Sequence, residues 1–448
     1  MIEWPTSGEL IVRWKRWYRR CVEGCMVQLL GAKRWIQEHP DRIFLDNACQ
    51  RRFPLSLPTN PRFHLVIVAN GADAACETHR GLGRKGFGVV PEICGADHTS
   101  SSSRPFLIGD VNPNDNFVHV IDGGSIDFIL QRLDTSRDFI DYLSCRELFI
   151  RSGVLFSADS EKAICARYAT TINTEGHHDF ISSYEAVNAK ITLRDEEFLR
   201  LNSNPQFVLK NIEDKKSEIF DSLIQQFIEH VIGGTSVIPR GMTYSLGSTE
   251  RALRNVLAAG RVERRSYGEA ISFVRDSMSH SDRATRSVIP DVGSGEHTGV
   301  VFLCIKDITD RFPTREDYVR YRQSLLHAYI LANLERYPHL HCVVGFGFDA
   351  PTSVRGFSED LIAADQHEWT EEDISELREQ CCRLEIMRNV NVGSSRVDEY
   401  PTLKPDTIYV HGDHMIISLG DDPIEPIGKN RKQRRAERSK LKLSLIHI

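Results

Sequence analysis

Val300-Val301-Phe302-Leu303-Cys304 is an unbroken apolar run, Arg315 to Tyr337 reads as a helix, and His341-Cys342-Val343-Val344-Gly345 is a second apolar run. Short apolar runs of this kind read as strands, and strands separated by a helix make an α/β section and suggest a partly parallel sheet. The same order stands earlier in the chain. The strand His64-Leu65-Val66-Ile67-Val68-Ala69 is closed by Asn70-Gly71, a helix runs from Ala72 to Arg80, and strands follow at Phe106 to Gly109 and Phe117 to Ile121. The sequence therefore predicts a mixed α/β (α+β) chain: two α/β domains joined by a helical segment, with a basic, disordered C-terminal tail. The expected bounds are 1–160, 161–240, 241–425 and 426–448, with Gly233-Gly234-Thr235-Ser236 as the break.

Around this frame, Leu10 to Gln37 reads as one long helix. Trp14, Trp17, Tyr18, Cys21, Cys25 and Leu29 share a face, with Trp35 also turned inward, and Arg13, Lys15, Arg16, Arg19 and Arg20 lie opposite. A short strand is expected at Ile43 to Asp46. In Asp122-Gly123-Gly124-Ser125 a turn leads into a helix from Ile126 to Leu133 with Ser125 as its cap, and Asp134-Thr135-Ser136 opens the next, Arg137 to Arg151. Phe220, Leu223, Ile224, Phe227 and Val231 form one helix face. Further helices are expected at Ser248 to Ala259, Ser266 to Met278 and Thr370 to Met387, the last with Thr370 and Asp373 as a capping box.

Composition excludes several classes. Of 448 residues, 41% are apolar and 26% charged, which suits a packed core and excludes wholesale disorder. A net charge of −6 excludes a globally basic nucleic-acid binder but leaves room for local basic patches. No apolar run approaches the ~18 residues of a spanning helix. The eleven cysteines are an odd number, and Met1-Ile2-Glu3-Trp4-Pro5 lacks the features of a signal peptide, so reduced thiols and a cytoplasmic location are expected.

Candidate chemistry is sparse. His411-Gly412-Asp413-His414 offers two imidazoles and a carboxylate to a zinc or other divalent ion, the weak metal candidates being His411, Asp413 and His414; the plainer reading is a polar turn between strands Thr407 to Val410 and Met415 to Ser418. Gly176-His177-His178-Asp179 supplies a general base or a ligand, or a loop histidine that packs. Cys21 and Cys25 are four apart but lack two further ligands, and with Cys381-Cys382 they read as packing. Gly81-Leu82-Gly83-Arg84-Lys85-Gly86-Phe87-Gly88 contains GxGxxG, but a dinucleotide site needs the motif between a strand and a helix; here it runs from helix to strand and reads as a glycine loop. Neither a GxxxxGK[ST] nor a GxSxG motif occurs. The Arg13 to Arg20 stretch, with Trp14, Trp17 and Tyr18 interleaved, reads as a phosphate-tracking face or as the solvated side of an amphipathic helix. In the tail, Lys429, Arg431, Lys432, Arg434, Arg435 and Arg438 are the candidate nucleic-acid contacts.

Several segments carry a resemblance: Trp14-Lys15-Arg16-Trp17-Tyr18-Arg19-Arg20, Gln28 to Ile36, Pro40 to Asp46, Val68-Ala69-Asn70-Gly71-Ala72, Phe117 to Val120 with Leu133-Asp134-Thr135, and Ser358 to Leu361 with Trp369-Thr370. Together they resemble an uncharacterised bacterial family of large cytosolic proteins whose N-terminal part is similar to restriction-endonuclease-like, nuclease-related domains. The resemblance implies a divalent metal such as Mg²⁺ held by paired carboxylates with a D/E-x-K lysine. It also implies that this strand pair lies upstream of the first helix, where only Met1 to Glu9 stand. The chain therefore reads as an N-terminally shortened member, and no catalytic residue is carried over. Ser444-Leu445-Ile446-His447-Ile448 breaks from the basic tail and reads as a non-native end. The function expected is that of a nuclease-related, nucleic-acid-associated protein without a complete recognisable metal site; the alternative is a non-enzymatic interaction or scaffold protein. A cluster of Asp46, Asp110, Asp122 and Glu147 with a lysine would point to a nuclease centre.

Overall fold

The computed structural model describes residues 3–53, 57–81, 83–174, 177–181, 190–233, 246–291, 297–308, 310–353, 355, 357–386, 392–393, 397–401, 408–411, 414–419 and 442–447. Its helices are α1 (Leu10–Tyr18), α2 (Gly24–Glu38), α3 (Asp73–Arg80), α4 (Gly123–Leu130), α5 (Ser136–Arg151), α6 (Glu161–Thr170), α7 (Asp195–Asn202), α8 (Pro205–Asp214), α9 (Glu218–Gly233), α10 (Leu246–Leu257), α11 (Arg261–Ser277), α12 (Arg315–Arg336) and α13 (Glu371–Arg383). Its strands are β1 (Leu65–Ala69), β2 (Gly88–Cys94), β3 (Leu107–Asp110), β4 (Val118–Asp122), β5 (Phe156–Ala158), β6 (Ile191–Leu193), β7 (Arg283–Val288), β8 (His297–Ile305), β9 (Leu340–Asp349), β10 (Glu359–Asp365), β11 (Ile408–His411), β12 (His414–Leu419) and β13 (Lys442–His447). The mixed α/β class holds. The contacts sort into two compact units, one from Met1–Ile43, Leu57–Ile212 and Glu399–Ile448, the other from Phe44–Ser56 and Glu213–Asp398. The division at Ile212–Glu213 falls inside the segment expected to connect the domains.

In the first unit, β1 and β4 form a parallel pair, and β3-β2-β5-β6 form a second sheet. Strand alternation sends Val118 and Val120 to one core and Phe117 and Ile121 to another. On the first side lie Trp14, Trp17, Tyr18, Cys21 and Val22; on the second lie Ile126, Phe128 and Ile129 of α4 with Tyr142, Leu143 and Phe149 of α5. The first helix therefore has its partner: Trp14 and Trp17 are fully buried against β1 and β4. Trp35, expected inside, is 41% exposed and lies beneath the Arg42 guanidinium. The expected single helix is broken by a π-helical turn, Arg19–Glu23, which joins α1 to α2. The strand expected at Ile43 to Asp46 is a single bridge, Phe44 to Arg52, because Asp46 turns the chain by accepting the Gln50 and Arg51 amides. A third, antiparallel sheet has the order β11-β12-β13.

The second unit is built on the sheet β10-β9-β8-β7, with β8 and β9 parallel across α12 as the sequence predicted. Val300, Phe302, Cys304, Val344 and Phe346 face α9, α10 and α11, while Val301, Leu303, Ile305 and Val343 face α12 and α13. This is a three-layer sandwich. On β9, Gly345 admits α12 closely: a Cβ there would stand 2.8 Å from both Leu326 and Ile330 side chains. Thr370 caps α13 and exchanges hydrogen bonds with Asp373, as read from sequence. That helix stops at Arg383 rather than Met387, because Glu385 takes a positive φ of 53°.

Candidate site at the carboxyl ends of β1 and β4

Strands β1 and β4 end side by side, with Ala69 paired to Asp122. From there β1 passes through Asn70 and Gly71 into α3, and β4 passes directly into α4. Carboxyl ends of parallel strands, with helix N-termini above them, form the crevice in which α/β folds bind ligands. The cap of α4 is Asp122, not the expected Ser125: Asp122 Oδ1 accepts the Ser125 amide at 2.9 Å. Gly123 and Gly124 thus become the first turn instead of a loop. Gly123 is required there, since a Cβ would stand 2.1 Å from Asn70 Oδ1.

The second oxygen, Asp122 Oδ2, is buried and takes no hydrogen bond among the described residues, and Asp122 is only 4% exposed. The Ser125 hydroxyl is buried beside the same carboxylate, and its side chain as well as its amide favours the charged form of Asp122. Burial pushes the Asp122 pKa up, and Ser125 and the Lys162 charge only partly offset this while Glu161 adds to it. Gly86 closes over the carboxylate, and a Cβ at that position would lie 2.7 Å from Oδ2.

Gly86 belongs to the glycine loop, which does run from α3 into β2 and so lacks the strand-to-helix frame of a dinucleotide fingerprint. Gly81 and Gly83 hold φ of 106° and 84°. Arg80 ties the loop down, donating to the Gly86 carbonyl at 2.6 Å and the Asp159 carbonyl at 2.7 Å, and the Cys76 thiol donates to the same Gly86 oxygen at 3.1 Å. Arg84 and Lys85 point outward, with long contacts of 3.6 Å to Asp159 and 3.9 Å to Glu77.

Behind the crevice sits a buried ion pair. Arg146 binds Glu161 through two hydrogen bonds of 2.6 and 2.8 Å, and the Tyr142 hydroxyl donates to the same carboxylate at 2.5 Å. Burial, with Arg146 and His64 alongside, pushes the His119 pKa down to about 2, so the ring is neutral and its Nδ1 faces Arg146 at 3.3 Å as an acceptor. Nothing in the linear sequence marked this group, because its members are far apart along the chain.

The four carboxylates singled out from the sequence do not form one cluster, and the two that come together, Asp110 and Glu147, share an arginine rather than a lysine. Asp110 takes Arg151 at 2.7 Å, and Glu147 lies 3.6 Å from the same guanidinium. Asp46 belongs to the second unit. No group of three or more His, Cys, Asp or Glu side chains placed to hold a metal ion occurs among the described residues. In the second unit, Asp349 is locked by Arg315, Arg322, the Tyr318 hydroxyl at 2.6 Å and the Ser358 amide at 2.9 Å, while Asp307 is held by Arg315 at 3.0 Å and by Arg355. These acids are already neutralised by their partners.

Other candidates resolve individually. His178 sits between the Glu399 carboxylate at 2.6 Å and the Tyr168 carbonyl at 3.0 Å. Burial works against its charge, but Glu399 prevails and its pKa is raised; it is a structural ion pair closing a long loop. Backbone pairing joins His411 to His414 across the hairpin β11–β12; Asp413 and the side chains of both histidines lie outside the described residues. So do Lys429, Arg431, Lys432, Arg434, Arg435 and Arg438. Cys21 is buried and Cys381 partly so, but Cys382 is exposed rather than packed. All eleven thiols are free. Trp14, Trp17 and Tyr18 are core residues and cannot stack on bases. That leaves the outer face of α1: Arg16, Arg19 and Arg20 exposed and Lys15 half-buried, none ion-paired among the described residues.

No protein-family model, curated protein or solved structure matches the chain. No described helix is long and apolar enough to cross a membrane.

Proposed function

We propose that the protein associates with nucleic acid, as a nuclease-related protein, through phosphate contacts from the outer face of α1 and its π-helical continuation. One observation carries this reading: Arg13, Lys15, Arg16, Arg19 and Arg20 stand together with no acid between Leu10 and Arg20. At 3.6 residues per turn the three on α1, Arg13, Lys15 and Arg16, fall within an arc of about 160° away from buried Trp14 and Trp17, and Arg19 and Arg20 follow on the π-helical turn. The buried tryptophans fix the helix rigidly, so the cations are presented without an ordering cost to the backbone. Lys429 to Arg438 would add a second, sequence-independent attachment.

Fluorescence anisotropy on a short DNA duplex, across a salt series, tests the proposal. Four phosphate contacts give a log–log slope of about −4, at about −0.9 per contact. Replacing Arg16 and Arg19 by Glu should remove at least half of that slope without changing the circular dichroism spectrum. A slope unchanged in that variant and abolished by removing residues 429–442 would move the binding to the tail. No binding at low salt would end the reading. With Mg²⁺ or Mn²⁺ added, the duplex should stay intact, because Asp110, Glu147, Asp307 and Asp349 are already engaged by arginines.

A further inference from the structure

The outer side of the first helix carries more than cations. Backbone dihedrals stay helical from α1 through the π-helical turn into α2, so one rod runs from Leu10 to Glu38. Its inner side is a single stripe: Trp14, Trp17, Tyr18, Cys21 and Val22 are buried, and Cys25, Met26, Leu29 and Leu30 pack against the same core. Spacing of three and four residues leaves a second stripe facing outward, with Arg16, Arg19, Arg20, Gly31, Arg34 and Trp35 all exposed. From Arg16 to Trp35 it is about 28 Å long, at 1.5 Å per residue. Between Leu10 and Arg42 eight Lys and Arg stand against Glu23, Glu38 and Asp41, a net charge of +5 in a chain whose total is −6. Among the described residues, which hold all five tryptophans, Trp35 alone of that type is exposed, at 41%. The Arg42 guanidinium lies 5.8 Å and the His39 ring 5.5 Å from its centroid. One turn earlier, Gly31 stands in mid-helix although a Cβ there would touch nothing within 4 Å. Packing does not ask for this glycine and alanine would hold the helix better; its effect is to keep the approach to the indole bare.

We propose that this stripe binds single-stranded nucleic acid, with phosphates on Arg16, Arg19 and Arg20, an unpaired base stacked on Trp35, and Arg34 and Arg42 on the phosphates flanking that base. The inference rests on the α1 reading above and names its ligand. The local positive charge selects a polyanion. The open indole then selects among polyanions. A duplex keeps its base faces stacked on one another, whereas a single strand offers them, and every base has a face to stack. The nearby guanidiniums hold the backbone of the same nucleotides, so ring and cations act on one ligand.

Fluorescence anisotropy on the full chain tests it, with a labelled thymidine strand of about 12 nucleotides and a DNA duplex of the same length at one salt concentration. The strand should bind at least about fivefold more tightly than the duplex. Trp35→Ala should remove that margin, weakening the strand at least about fivefold and leaving the duplex unchanged, and Trp35→Phe should restore most of it. Arg16→Glu with Arg19→Glu should weaken both ligands. Adding the strand should quench tryptophan fluorescence in the wild type and not in Trp35→Phe. A uridine strand should bind as the thymidine strand does, because stacking on an indole does not read the sugar. The Trp35 ring is on the surface, so its variants should melt as the wild type does. A duplex bound as tightly as the strand, or a strand indifferent to Trp35→Ala, would overturn this inference; weakening by the Arg16 and Arg19 replacements would then leave the α1 reading standing. No binding of either ligand at low salt would overturn both. A wild-type dimer in sedimentation that Trp35→Ala dissociates, with strand binding unchanged, would put a second copy of the chain on the indole instead.

Discussion

Asp122 shows how much one side chain decides. Its Oδ1 is spent on the Ser125 amide and its Oδ2 on nothing among the described residues. Glu161, Lys162 and Cys76 are the titratable neighbours that sense it. Because its folded pKa is raised, its contribution to stability is fully present below the unfolded value near 4 and is lost as pH rises through the folded pKa. Asp122→Asn retains the cap and carries no charge. It should therefore be more stable than the wild type at pH 7, because no charge is left buried, with the gap closing below pH ~4. Urea melts at both pH values check this, and a variant less stable at pH 7 would show that the charge is needed for folding. The sequence did place a cap in this turn, but three residues late. It offered Ser125 because Gly-Gly reads as a loop, whereas here the glycines are the helix's first turn, admitted by the close approach of Asn70.

At the scale of elements, alternation and periodicity made the central strands and the long helices legible, and pairing partners decided the rest. β8 and β9 are buried on both faces, so their apolar runs stand out in any reading. β7 (Arg-Ala-Thr-Arg-Ser-Val) and β10 are edge strands, polar on their open sides, and only the ladder to β8 and β9 makes them strands. β9 runs beyond Gly345 to Asp349 because its glycines serve the packing of α12 rather than ending the strand. Gly345→Ala should cost about 1–3 kcal/mol by overpacking against Leu326 and Ile330. Gly347→Ala, whose Cβ would be 3.3 Å from Leu326, should cost less. Chemical denaturation of the two variants tests the order; equal or reversed losses would place the close approach elsewhere.

At the scale of the whole molecule, each unit has its own core, and the second is nearly continuous in sequence. Its short outlying piece, Phe44–Ser56, contributes the Arg51 hydrogen bond to the Ile232 carbonyl at 2.7 Å, at the last turn of α9. A fragment of residues 213–398 retains the four-stranded sheet and the helices on both its faces. It should melt in one cooperative transition by circular dichroism, with fraying confined to the end of α9 in hydrogen exchange. A broad, non-cooperative melt would mean that the unit depends on the rest of the chain.

The sequence by itself determined the α/β class, the β8–α12–β9 crossover, the capping box at Thr370 and the basic-and-aromatic division of the first helix. Each of these rests on local periodicity or on neighbours three to four residues apart, which the order of residues records directly. Only the tertiary structure decided which polar groups meet. Arg146 finds Glu161 and His119, and His178 finds Glu399, across separations that no local pattern encodes. The cost of leaving charge unpaired in a low-dielectric interior selects those partners, and that cost exists only once the chain has packed and water has been excluded.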